Sequence, residues 1–194
     1  MNKRILIDCD GVIANLIFPL LKYLNKQLGT KFEHQHIIKY DILESLGLQH
    51  MWPEVLKNVM YKKSFTEKLP VYPGSKEALI KLSEYGKIYI VTSPLDAPHW
   101  VPGRKKWLKE HFNIGKDRTT NTEAKHTILG NVLIDDRAEN VLIWKEHFPK
   151  GLAILWDAPY NTWLDAEANG IIRTRDWSVV IERVSKLEDS HKPL

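Results

Sequence analysis

The feature that most constrains this chain is a short apolar run that ends in acid. Residues 4–9 read Arg-Ile-Leu-Ile-Asp-Cys and lead directly into Asp10-Gly11-Val12. A continuous run of this length fits a strand buried on both faces, the condition found in parallel sheets. The pattern returns at 87–92 (Lys-Ile-Tyr-Ile-Val-Thr), 131–135 (Asn-Val-Leu-Ile-Asp) and 151–156, and more weakly at 170–173. Helical periodicity fills the spaces between. Pro73-Gly74-Ser75 opens a helix whose Ala78, Leu79, Leu82 and Tyr85 share a face, and Gly86 closes it. Trp107, Leu108, His111 and Phe112 mark a second helix ending near Gly115. Trp177, Val180, Ile181, Val184 and Leu187 follow the i, i+3, i+4, i+7 rule behind Asp176 as N-cap. The alternation predicts an α/β fold around a mainly parallel sheet.

One stretch breaks the alternation. Residues 16–73 begin with an amphipathic helix (Ile17, Leu20, Leu21, Leu24, Leu28), contain Met51-Trp52-Pro53 and a second helical run at 55–60, and carry no strand pattern. That is too long for an ordinary connection. It reads as a small helical cap inserted after the first strand, with 1–15 and 74–194 forming the core. A length of 194 residues suits one core plus such an insert. The polar tail at 188–194 is expected to fray.

Composition narrows the class. With 43% hydrophobic and 27% charged residues the chain is an ordinary globular one. Its longest apolar stretches, 16–21 and 151–156, fall well short of the roughly 20 residues a membrane helix needs. Lys3-Arg4 precede an apolar run that Asp8 and Asp10 interrupt, so no export signal is expected. Cys9 is the single cysteine and has no disulfide partner, which fits a reducing cytoplasm. A net charge of +4 favours a small anionic ligand over duplex nucleic acid.

Ligands of open parallel sheets bind beyond the carboxyl ends of the strands, and three predicted strands end there in polar groups. At the first, period-two alternation puts Asp8 and Asp10 on one side and Cys9 on the other. Such a pair can divide labour, one carboxylate attacking phosphorus or binding metal and the other moving a proton. Read alone, Asp10-Gly11 is equally a turn. At the second, Thr92-Ser93-Pro94 offers two hydroxyls to phosphate oxygens, or ordinary turn chemistry. At the third, Asp135-Asp136 are hard to hold together without a cation. Lys125 lies ten residues earlier, where it can reach the same edge. Cys9 is no rival nucleophile, because alternation turns it away from the acids and no histidine pairs with it in the pattern. Arg104-Lys105-Lys106 reads most simply as a solvated helix face, and His34-Gln35-His36 as polar cap surface.

Taken together, Asp8-Cys9-Asp10-Gly11-Val12, Thr92-Ser93, Lys125 and Asp135-Asp136 resemble the four motifs of the haloacid dehalogenase (HAD) superfamily. A narrower likeness runs over most of the chain. Ser64-Phe65 through Leu69-Pro70, Pro73-Gly74, Val91-Thr92-Ser93-Pro94, Pro102 with Lys105 and Trp107, Leu133-Ile134-Asp135-Asp136-Arg137 and Asp176-Trp177 are similar to the 5′(3′)-deoxyribonucleotidase family. The resemblance implies a HAD-like Rossmannoid sheet and a Mg²⁺-dependent phosphatase of (deoxy)nucleoside monophosphates working through an aspartyl phosphate. It implies Asp8 as nucleophile and Asp10 as acid and base. Mg²⁺ would sit on Asp8, the Asp10 carbonyl and one of Asp135 and Asp136, with Asp136 the direct ligand by family likeness. Thr92, Ser93 and Lys125 would hold the phosphate, with Lys105 at a family position close to it. Where the family carries an aromatic over the base, this chain has Leu16, with Phe18 two residues on. The family's aromatic pair in the cap is Met51-Trp52 here, so Trp52 is left to stack on the base. These departures imply a broader base range than an aromatic-lined pocket permits.

The partner expected is a small nucleotide, with no membrane, no duplex nucleic acid and homodimerisation left open. The alternatives are a phosphatase of nucleic-acid 3′ ends or of another small phosphomonoester, and a non-catalytic nucleotide-binding module. The last predicts a lost nucleophile or lysine, and both residues are present.

Overall fold

The computed structural model describes residues 3–187; the tail at 188–194 lies outside them. Six strands form one sheet: β1 (Lys3–Ile7), β2 (Gly86–Thr92), β3 (Thr119–Asn121), β4 (Val132–Asp135), β5 (Leu152–Trp156) and β6 (Ile172–Thr174). Every pairing is parallel and the order is β3-β2-β1-β4-β5-β6. The chain runs outward from β1 to β3, then returns to add β4 on the other side. The resulting crevice lies between the carboxyl ends of β1 and β4, the switch point at which doubly wound sheets bind ligands.

Alternation along the buried strands divides the side chains between two faces. Ile5, Ile7, Ile88, Ile90 and Ile134 join one cluster with α5 (Ser75–Leu82), α6 (Trp100–Phe112) and α8 (Trp177–Ser185). Leu6, Val91, Leu133 and Leu155 join the other with Val141 and Trp144 of α7 (Ala138–His147). Fully burying each aliphatic side chain of this size stabilises by roughly 1.5–3 kcal/mol relative to exposure. The two-sided sheet is therefore what holds the strand ends in place.

Between β1 and β2 there are helices and turns but no strand. These are α1 (Ile17–Leu28), α2 (Ile42–Ser45), α3 (Trp52–Val55), a π-helical turn (Leu56–Met60) and α4 (Lys63–Glu67), followed by α5. Leu20, Leu24, Ile37, Leu43, Val55 and Met60 form their own apolar cluster, which also takes in Tyr160 from beyond β5. Ala14 and Val71 pair as an antiparallel bridge where the insert leaves and rejoins the sheet. Among the described residues, no helix is long and apolar enough to cross a membrane.

Three details differ from the sequence reading. Strand β3 is Thr-Thr-Asn, an edge strand half-buried along its length, so it lacks the apolar run that marks the others. Gly86 does not close α5 but opens β2, where a Cβ would lie 2.7 Å from the Lys3 carbonyl oxygen. The weak fifth strand falls at Ile172–Thr174, later than 170–173 suggested.

Candidate active site

The ends of β1, β2 and β4 converge. Asp8 follows β1, and its N–H still donates to the Ile134 carbonyl at 2.8 Å, so its carboxylate lies beside the end of β4. Lys125, in a short 3-10 turn (Lys125–Thr127), is nearly sealed from solvent. Its Nζ lies 2.8 Å from Asp8 Oδ1 and 2.7 Å from Asp135 Oδ2. Asp8 Oδ1 also accepts the Cys9 N–H at 2.7 Å.

The two acids after β4 have different surroundings. Both oxygens of Asp135 are engaged: Oδ2 by Lys125, Oδ1 by the Arg137 N–H at 2.9 Å, and both by the Asn140 amide. Asp136 Oδ2 accepts from the Tyr160 hydroxyl, and its backbone carbonyl accepts from Asn161 Nδ2 at 2.8 Å. Asp136 Oδ1 is buried with no partner. Thr92 Oγ1, at the end of β2, is likewise buried and unpaired. Polar atoms stranded this way cost about 1–3 kcal/mol each unless something binds them, so both point to a ligand position.

Acidities report the same crowding. Burial pushes the Asp8 carboxyl well above its usual range; Lys125 opposes this while Asp135 and Asp136 add to it. Burial, reinforced by the Asp135 charge, pushes Asp136 up to about 7. Burial alone would lower Lys125, but the carboxylates of Asp135 and Asp8 outweigh it and raise the ammonium above its ordinary value. Oxygens of Asp8, Asp135 and Asp136 lie within 4.8 Å of one another. One lysine leaves this set short of positive charge, and hard oxygen donors at such spacing suit a divalent cation.

Asp10 is held from another direction. Arg104 of α6 is completely buried and donates from Nη2 to Asp10 Oδ1 at 2.6 Å. Its guanidinium lies over Trp100 and Trp107, at 4.9 and 5.6 Å from the ring centres, and its Nε and Nη1 have no partner. Burial raises the Asp10 pKa and Arg104 pulls it back down. The reading of Arg104 as part of a solvated face is thus corrected, and the signal was present. Trp100, Arg104, Trp107 and Leu108 follow helical spacing, which puts the arginine inside an apolar stripe.

Gly11 makes the turn that brings these acids together. Its φ is +83°, and a Cβ there would lie 1.8 Å from Asp136 Oδ2. Gly11→Ala is therefore expected to lower the melting temperature by about 5 °C, combining left-handed strain with displacement of Asp136. Thermal unfolding checks this; an unchanged midpoint would mean the turn and Asp136 are not in contact.

The remaining expected residues are placed as follows. Ser93 is half-buried beside Thr92, and Lys105 is exposed on α6 with no ion pair among the described residues. Leu16 packs at the edge of the sheet cluster, and Met51 is buried inside the insert. Trp52 packs against the insert's cluster, with its indole N–H donating to Asp41 Oδ2 at 3.1 Å. Phe18 is 57% exposed on α1. Cys9 is fully buried in the sheet cluster, and burial pushes its thiol up, leaving no thiolate for attack.

Sequence reasoning missed a group of tyrosines. Tyr160 on Asp136 stands edge-to-face with Tyr40 at 6.0 Å, and Arg137 lies over the Tyr40 ring at 4.6 Å. Tyr72 is pushed up to about 12 by burial, with Arg175 opposing and Asp136 and Asp10 reinforcing the rise. No local pattern marks these residues, because insert and sheet bring them together only in the fold.

The chain is similar to known proteins over most of its length. A 5′(3′)-deoxyribonucleotidase of Bacillus subtilis (strain 168) is 27% identical over 181 residues, 93% of this chain and 97% of that protein. The 5′(3′)-deoxyribonucleotidase of Bacillus phage SPbeta matches equally well. Among solved structures, a haloacid dehalogenase-like hydrolase family protein from Streptococcus pneumoniae superposes with a TM-score of 0.62 at 16% identity, over 94% of this chain and 98% of that one. Residues 2–187 match the family described as 5′ nucleotidase, deoxy (pyrimidine), cytosolic type C protein. The chain therefore belongs to that family, phosphomonoester hydrolases built on a haloacid dehalogenase-like fold.

Proposed function

We propose that this protein is a Mg²⁺-dependent phosphatase that releases phosphate from (deoxy)nucleoside monophosphates through an aspartyl phosphate on Asp8. The observation that carries the reading is the division of partners at the switch point. Lys125 is locked between Asp8 and Asp135, while Asp136 Oδ1 and Thr92 Oγ1 are buried and unpaired.

A phosphate monoester resists attack because its own anionic oxygens repel the nucleophile, so charge neutralisation and alignment carry most of the rate. Asp8 Oδ2, which accepts no hydrogen bond among the described residues, is the attacking atom, and Lys125 orients its carboxylate through Oδ1. As the new P–O bond forms, the ester bond to the nucleoside oxygen breaks, and Asp10 gives that oxygen its proton. Asp10 then takes a proton from water. The water oxygen attacks phosphorus, the acyl phosphate opens, and Asp8 is restored. The pKa of Asp10, raised by burial, suits it to start protonated. Thr92 and Ser93 hold the phosphate oxygens, with Lys125 balancing their charge.

The donor set fits Mg²⁺, which would offset the negative charge of substrate and nucleophile when bound. Asp136, with a free oxygen, is the better ligand of the adjacent pair, because Asp135 is committed to holding Lys125. Asp8 and the Asp10 carbonyl, which accepts no hydrogen bond among the described residues, complete the protein's share. Residues 16–73 act as a cap that limits water at the phosphate, with Leu16 and Trp52 nearest the base.

A phosphate-release screen over nucleoside monophosphates and sugar phosphates tests this reading. Deoxynucleoside monophosphates are expected to be hydrolysed across several bases with Mg²⁺, and excess EDTA is expected to remove at least 99% of the activity, a loss of about 3 kcal/mol in transition-state stabilisation. Full turnover in EDTA, or hydrolysis confined to sugar phosphates, would overturn it.

A further inference from the structure

A cavity of about 520 Å³ opens where the insert meets the sheet, and its Tyr72 wall is close enough to the catalytic acids to feel the charges of Asp136 and Asp10. None of Asp8, Asp10, Thr92, Lys125 or Asp136 lines it. It lies along the face of α1 that carries Phe18, Leu21, Lys22 and Asn25. The neighbouring flank of α1, marked by Tyr23, is taken by α3, where the Tyr23 hydroxyl donates to Glu54 at 2.7 Å. Trp52 does not line the cavity.

Aromatic and cationic groups dominate its lining, beside the aliphatic Ile17 and Leu21. Phe18, Phe32 and Tyr72 supply aromatic surface, and Phe18 is mostly exposed. Lys22 and Arg175 supply two cations, and neither has an ion pair or hydrogen bond among the described residues. Arg175 lies 6.0 Å from the centre of the Tyr72 ring. Asn15 accepts the Phe18 N–H through its Oδ1, leaving its amide N–H groups free to donate. The one acid, Glu33, is engaged by Gln35. Aromatic walls with convergent, unpaired cations recognise a flat ring that carries negative charge. The volume is in the range of small-molecule sites.

We propose that this cavity is a second binding site, outside the active centre, for a heteroaromatic anion, namely a nucleoside monophosphate. The ring packs on Phe18 and Tyr72, and the phosphate meets Lys22 and Arg175. Lys22 and Phe18 come from the insert and Arg175 from the chain just after β6, so the ligand ties insert to sheet. The choice of a nucleotide rests on the proposed function; the aromatic-anion character rests on the lining alone.

Equilibrium dialysis with radiolabelled dUMP tests this, using the Asp8→Asn protein with Mg²⁺ so that no turnover intervenes. Two dUMP per chain are expected. Adding Lys22→Glu and Arg175→Glu, both at exposed positions, is expected to weaken one site by at least about tenfold and leave the other within about twofold. The same pair in an otherwise unaltered chain should leave hydrolysis of p-nitrophenyl phosphate within about twofold. One dUMP per chain insensitive to the charge reversals would overturn the proposal. So would one dUMP lost through them, which would make the cavity the substrate's own pocket, and so would no binding at all. Failure of the proposed function has a different signature: the unaltered chain would release no phosphate from dUMP while dUMP still bound at the Lys22 and Arg175 site.

Discussion

Asp8→Asn is expected to lower kcat for phosphate release by roughly 10⁴-fold or more while leaving the protein folded. The amide keeps the shape of the carboxylate and can still accept the Cys9 N–H and the Lys125 ammonium at the position of Oδ1. What it loses is the nucleophile, since an amide cannot form and release an acyl phosphate under these conditions. Removing a buried carboxylate whose pKa burial has already raised also relieves like-charge crowding with Asp135 and Asp136, so the melting temperature should hold or rise. Cys9→Ser supplies the contrast: activity should persist, because the thiol is buried in the sheet cluster and points into packing rather than chemistry. Steady-state assays with thermal melts check both. An Asp8→Asn enzyme with wild-type rates, or a Cys9→Ser enzyme that folds but is dead, would contradict the assignment.

Arg104→Gln should reduce kcat/KM about 100-fold and move the pH profile. Arg104 is a positioning residue: it touches Asp10, at 2.6 Å, from inside a tryptophan-lined niche. Its charge pulls the Asp10 pKa down against the upward push of burial. Without it the Asp10 pKa rises further, so the limbs of the pH–rate profile that report Asp10 both shift to higher pH. Arg104→Lys should recover part of the rate and part of the shift, limited by the loss of the fork geometry. A fall in rate with no movement of the profile would mean that Arg104 supports only packing.

Much of this architecture was legible because buried parallel strands have nowhere to hide. The runs at 4–9, 87–92, 131–135 and 151–156 each hold an unbroken apolar stretch, and the first three finish in or beside the residues that reach the crevice. Strand β3 was not legible for the opposite reason: an edge strand of Thr-Thr-Asn needs no apolar face and is defined by its ladder to Ile90, Val91 and Thr92. Arg104 shows a third case. Its neighbours in sequence, Lys105 and Lys106, are exposed, and a run of three cations disguised the fact that helical spacing sets the first among Trp100 and Trp107. The tyrosines around Asp136 come from three distant points of the chain, at 40, 72 and 160, and only the packing of insert on sheet unites them. The difference between Asp135 and Asp136 was beyond spacing as well, since it lies in which oxygens Lys125, Asn140, the Arg137 N–H and Tyr160 occupy.

The central claim is that phosphate passes through Asp8. Acid quenching the enzyme during steady-state hydrolysis of a deoxynucleoside monophosphate, reducing with borohydride and sequencing the peptide that contains residues 3–15 tests it most directly. An acyl phosphate on Asp8 is reduced to homoserine, so homoserine at position 8, with Cys9 and Asp10 unaltered, is the predicted result. Recovery of an unmodified Asp8 from enzyme quenched at full turnover, or modification at Cys9 or Asp10 instead, would contradict the account.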